Sequence, residues 1–283
     1  MSNQSSKVAK SSDAQADLYA ETHGDGPPLL LLHGWGLNLR VWDSLIPLLV
    51  PRFKVITIDL PGHGRSAWQS EARDLSEQGR FVANTYSSLA ARDASIDTDH
   101  VTVLGWSFGG QVALTLAAQQ SNDAFKVERL VLTATSPKFA ASADWPYGLS
   151  APVLETFARQ LETDYRLTVS DFLDLQTRGS VNGAEVLATL RQALFTHGEA
   201  QPEALTEGLK VLASSDLCAS LSRIQQRALV ISGQYDRVTP PGAGKALAES
   251  LPNAQHLEIR RAGHAPFLSH TDTFITALFD ATS

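Results

Sequence analysis

Six short apolar runs, each ending near Gly, Ser or Asp, set the strongest limit on how this 283-residue chain folds. They are PLLLLHG (28–34), FKVITIDLPG (53–62), HVTVLGWS (100–107), ERLVLTATS (128–136), RALVISG (227–233) and HLEIRRAG (256–263). Runs of that length, rich in Leu, Val and Ile and lacking polar alternation, read as strands buried on both faces. Between them lie helical patterns at 40–50, 80–93, 108–121, 242–251 and 270–280. Strand and helix in alternation imply a mostly parallel sheet flanked by helices, an α/β fold, whose ligands bind at the carboxyl ends of the strands.

One interval breaks the alternation. From 140 to 213 no strand pattern occurs, while Val153, Leu154, Phe157 and Leu161 keep helical spacing, as do Val186, Leu187, Leu190 and Leu194. The spacing predicts three or four helices forming an all-helical cap over 140–213, with the α/β core made of 17–139 and 214–283. Residues 1–16 are small and polar and are expected to form a disordered tail. They lack the apolar stretch of a signal peptide, and no run reaches the ~18 apolar residues of a membrane span. Net charge is −7 and Cys218 stands alone. These features argue against a nucleic-acid or membrane partner, an internal disulfide and a thiolate metal site, and they fit a cytoplasmic protein. A monomer is expected.

The chemistry concentrates at strand ends. GWSFGG (105–110) fits G-x-S-x-G between a strand and a helix, a turn that strains its serine and lifts the hydroxyl above the sheet. Ser107 is therefore the candidate nucleophile; the competing reading is a helix cap. The chain has eight histidines. His264, on the loop after the last strand, is the candidate base, whereas His33 and His63 sit in glycine-rich loops and His270 is placed to cap the final helix. Asp236, after the strand at 228–232, is the candidate acid, or else an Asx-turn residue. An oxyanion needs donors, and the N–H groups of Phe108 and of Trp35 in LLHGWG (31–36) are suited to supply them. Asp59 in DLPGHGRS precedes Ser107 in the chain and reads as structural. No phosphate-binding loop, dinucleotide fingerprint or zinc spacing occurs, and no metal or organic cofactor is expected.

HGWG, DLPGHGRS, GWSFGG, GQYD and GHAPF together resemble the α/β-hydrolase superfamily with a helical cap, over about residues 20–280. LLHGWGLNLRVW, LGWSFGG, DWP, FLDLQT and AGHAPFLSH are similar to the pimeloyl-[acyl-carrier protein] methyl ester esterases of biotin synthesis. That resemblance implies a serine carboxylesterase with Ser107, Asp236 and His264 as its triad. Trp35, Phe108, Phe172, Leu173, Leu175 and Gln176 would contact the substrate. It also implies an acyl carrier protein as partner, gripped by cap arginines. Leu167 and Asp171 stand where basic residues would be expected, so Arg166, Arg178 and Arg191 become the docking candidates. The same triad also serves small-ester esterases and carbon–carbon hydrolases, and a hydrolase fold is able to bind a ligand without turnover.

Overall fold

The computed structural model describes residues 17–119 and 124–283; the tail expected at 1–16 and the last two residues of the helix expected at 108–121 lie outside them. Among the described residues the strands are β1 (Ala20–His23), β2 (Pro28–Leu32), β3 (Lys54–Ile58), β4 (Val101–Trp106), β5 (Val127–Thr133), β6 (Arg227–Gly233) and β7 (Ala254–Ile259). They form one sheet in the order β1-β3-β2-β4-β5-β6-β7. Every neighbouring pair is parallel except β1 with β3. All six apolar runs are strands. β2, β3 and β4 are buried at every position, as sequences without polar alternation require.

The helices are α1 (Ile46–Leu49), α2 (Leu75–Arg92), α3 (Phe108–Ala118), α4 (Ala151–Thr163), α5 (Tyr165–Thr177), α6 (Gly183–His197), α7 (Pro202–Ser214), α8 (Pro241–Ser250), α9 (Pro266–Ser269) and α10 (Thr271–Thr282). Pro202, Pro241 and Pro266 each open a helix, where a missing N–H costs nothing. Four of them, α4 to α7, occupy the interval between β5 and β6 and make the helical insertion. Its α6–α7 end is tied to core loops: the Asn38 amide donates to the carbonyls of Ala193 and Gly198, and Gln201 N–H donates to Gly62 O. The segments after β2, β4, β6 and β7 all emerge at the carboxyl edge, beneath this insertion.

Candidate active site

Glycines build the turn that presents Ser107. A Cβ on Gly105 would lie 2.4 Å from Gly109 O, and one on Gly109 would lie 2.3 Å from Leu32 O. Only bare backbone lets α3 pack this closely on β4 and β2. Ser107 holds φ 55° and ψ −117°, a conformation that costs a non-glycine residue of order 1–3 kcal/mol and persists only where the surroundings enforce it. Hydrogen bonds from its N–H and to its carbonyl enforce it here, one of them from Gly110 N–H at 2.9 Å. Ser107 N–H donates to Thr133 O at 3.0 Å, and the buried Thr135 hydroxyl donates to Ser107 O at 2.7 Å.

The Ser107 side chain makes no capping bond to α3. Its Oγ instead lies 2.9 Å from His264 Nε2. His264 Nδ1 lies 2.8 Å from Asp236 Oδ2, so the carboxylate fixes the tautomer and leaves Nε2 to accept the serine proton. Asp236 is fully engaged: Oδ1 accepts the N–H groups of Val238 and Thr239, and Oδ2 also accepts the Thr239 hydroxyl at 2.8 Å. The imidazole is wholly buried. It is held from behind as well, since Trp106 Nε1 donates to His264 O at 2.7 Å and His264 N–H donates to Gln176 O at 3.0 Å.

The two candidate oxyanion donors sit beside the serine. Phe108 is the first residue of α3, so its N–H has no intrahelical acceptor. A Cβ on Gly34, next to Trp35, would lie 3.3 Å from Ser107 Cβ. The Trp35 indole donates to Leu205 O in α7 and meets Phe172 edge-on, ring centroids 5.2 Å apart. Behind this loop stands a buried set that sequence reading did not assemble. His63 Nε2 accepts Gly36 N–H and His33 Nε2 accepts Leu60 N–H. Asp59 accepts the N–H groups of Leu39 and Arg65 and meets His197 Nε2 at 2.8 Å, joining the end of α6 to the core. Burial pushes His33 down to about 3 and His63 to about 4, and raises Asp59.

Phe108 is buried at the start of α3, and three of the six expected substrate residues line one or other of two cavities. Phe172 joins Trp35, Phe139, Leu154, Phe157 and Leu209 around an apolar one between insertion and core. Leu173 lines the other, with Val169 and Leu194 inside and Arg166 and Arg191 among its polar lining. Leu175 is half-buried against the core, and Gln176 is buried with its Oε1 unpartnered. Arg178 lies apart, exposed at the end of α5. Thr135, Thr239 and Trp106 were missed as site residues. Trp106 lies inside GWSFGG, but nothing in a one-dimensional pattern links the threonines to residues 28 and 3 positions away. Among the described residues no group of His, Cys, Asp and Glu is placed to hold a metal, and no helix is long and apolar enough to cross a membrane.

Residues 27–271 match the family model for the α/β hydrolase fold. The chain belongs to the α/β-hydrolase family. A pimeloyl-[acyl-carrier protein] methyl ester esterase of Nitrosomonas europaea is 39% identical over 266 residues, covering 94% of this chain and 99% of that protein. An esterase of the same description from Chromobacterium violaceum is 38% identical over 262 residues, covering 93% and 96%. Among solved structures, a bromoperoxidase from Bacillus anthracis superposes with a TM-score of 0.79 at 26% identity, covering 94% and 95%.

Proposed function

We propose that this hydrolase is a serine carboxylesterase that removes the methyl ester of a pimeloyl group carried on acyl carrier protein, releasing methanol, in biotin synthesis. The observation that carries the chemistry is the His264 imidazole bridging Ser107 Oγ and Asp236 Oδ2. The full-length likeness to esterases of that description supports the substrate.

His264 takes the serine proton as Oγ attacks the ester carbonyl, and Asp236 stabilises the imidazolium that forms. The N–H groups of Phe108 and Trp35 receive the oxyanion, each worth roughly 3–4 kcal/mol if typical of such donors. His264 then protonates the departing methoxide, and water repeats the cycle to free the acid. The apolar side chains gathered around Trp35 and Phe172 are of the kind that would line a methylene chain. Helices α4 to α7 act as the cap that covers it.

The test is a paired one. Ser107→Ala should fold normally, lose labelling by a fluorophosphonate and lose ester hydrolysis by about 10⁴-fold or more. The wild-type gene should restore biotin-free growth to a host lacking its own esterase, and Ser107→Ala should not. Hydrolysis of simple esters without rescue would remove the pimeloyl substrate and leave a general esterase. Activity retained in Ser107→Ala would remove the nucleophile.

A further inference from the structure

Three of the basic residues in the helical insertion are already matched by carboxylates. Arg166 Nε lies 3.0 Å from Glu199 Oε2, Arg191 Nη2 lies 3.2 Å from Asp174 Oδ1, and Lys210 Nζ lies 2.8 Å from Glu207 Oε1. A second set is not. Arg178 follows α5, Arg237 follows Asp236, and Arg260 and Arg261 follow β7. All four are exposed, and none pairs with a carboxylate among the described residues.

Backbone and amide bonds join the three segments that carry them. Val181 N–H donates to Arg261 O at 3.0 Å, Arg261 N–H donates to Gln234 Oε1 at 3.0 Å, and Tyr235 N–H donates to Ala262 O at 2.8 Å. These bonds make one continuous seam between the insertion and the core. A cleft opens there, lined by Gly179, Gln234, Tyr235, Asp236 and Arg237. Tyr235 stands in it with 45% of its surface exposed. Arg237 lines the cleft beside this exposed tyrosine, and Arg178, Arg260 and Arg261 lie on the segments that the bonds above join; Tyr and Arg are the residue types enriched at interface centres. Four unmatched positive charges on a chain of net charge −7 also form a local field that an acidic partner would follow.

We propose that this seam is the docking surface for the acidic carrier protein that presents the ester. The proposal rests on the function proposed above and adds where the partner sits. Guanidinium groups without partners engage an acidic helix directly, whereas Arg166 and Arg191 must first leave Glu199 and Asp174. A partner seated here abuts the loop that carries Asp236 and the loop that leads from Arg261 to His264.

The experiment titrates a labelled carrier protein bearing the pimeloyl methyl ester against the Ser107→Ala protein, at low and at physiological ionic strength. Arg178→Gln with Arg261→Gln should weaken binding about tenfold and flatten its salt dependence. Arg166→Gln with Arg191→Gln should change it less than threefold, within the range of exposed ion pairs. With Ser107 restored, the seam variant should hydrolyse a free methyl ester like the wild type and lose only on the carrier-linked one. Unchanged carrier binding in the seam variant, or a loss confined to the Arg166 and Arg191 pair, overturns the surface while leaving the function intact. A wild-type protein that hydrolyses free esters but neither binds nor hydrolyses the carrier-linked one overturns both.

Discussion

At Asp236 the structural and functional readings of one residue hold together. Its Oδ1 closes an Asx-type turn on the N–H groups of Val238 and Thr239, and its Oδ2 faces His264. The turn makes the carboxylate rigid, which is what a group orienting an imidazole requires. Thr239 adds a contact that sequence spacing did not reveal, because its hydroxyl shares Oδ2 with the histidine. Thr239→Val keeps the shape and removes one buried hydrogen bond of about 1 kcal/mol. We expect kcat to fall about five- to tenfold with KM nearly unchanged, since the bond orients the base and does not touch substrate. Steady-state kinetics on a small methyl ester check this. A rise in KM with constant kcat would mean that Thr239 lines the substrate site instead. The candidate triad was legible because G-x-S-x-G and the chain order Ser, Asp, His are local signals at strand ends. Its supports at Thr135 and Thr239 were not, because a hydroxyl aimed at a carbonyl or a carboxylate leaves no pattern along the chain.

Among the elements, those with continuous apolar runs were readable and those without were not. β1 is four residues long, mostly half-exposed, and pairs antiparallel on the sheet edge, so AETH carries no apolar run. Helix α2 begins at Leu75, ahead of the pattern at 80–93, because Asp74 caps it by accepting Glu77 N–H. The D-x-x-E spacing there was a usable start signal. Tertiary ties decide how the insertion is mounted. Asn38 uses Oδ1 to accept Arg40 N–H within the core, while its amide donates to two carbonyls at the end of α6. Asn38→Ala should cost about 1–3 kcal/mol, the usual range for buried polar groups left unpaired. That corresponds to a fall in Tm of about 2–4 °C per kcal/mol for a chain approaching this size. Asn38→Asp separates the two roles: it keeps the acceptor for Arg40 but turns oxygens toward both carbonyls. Thermal unfolding should therefore find Asn38→Asp at least as destabilised as Asn38→Ala. The reverse order would show that Asn38 stabilises its own loop and not the joint to α6.

For the whole molecule, the histidines buried behind the oxyanion loop link stability to pH. A neutral imidazole is required at His63, whose Nε2 accepts Gly36 N–H, and at His33, whose Nε2 accepts Leu60 N–H. Burial is the largest cause that holds them down, His33 to about 3 and His63 to about 4, against an ordinary 6.5. The unfolded chain therefore binds protons that the folded chain refuses. Stability is whole above pH 6.5 and is lost as pH falls toward these folded values. Each histidine contributes up to about 1.4 kcal/mol per pH unit across that window. Asp59 acts in the opposite sense, because burial raises its carboxyl. It is one group against two, and its carboxylate is also held by the N–H groups of Leu39 and Arg65, so the histidines should dominate. Tm measured in steps from pH 7.5 to 4.5 should stay level to about 6.5 and then decline with increasing slope. His63→Asn should reduce that slope even if it lowers Tm at neutral pH, because the variant has one fewer group to protonate. Hydrolytic activity should be lost over the same acid range and return on neutralisation, since protonating His63 sets a proton against Gly36 N–H beside the candidate oxyanion donor at Trp35. A Tm that holds level down to pH 4.5 would contradict neutral, buried imidazoles at both positions.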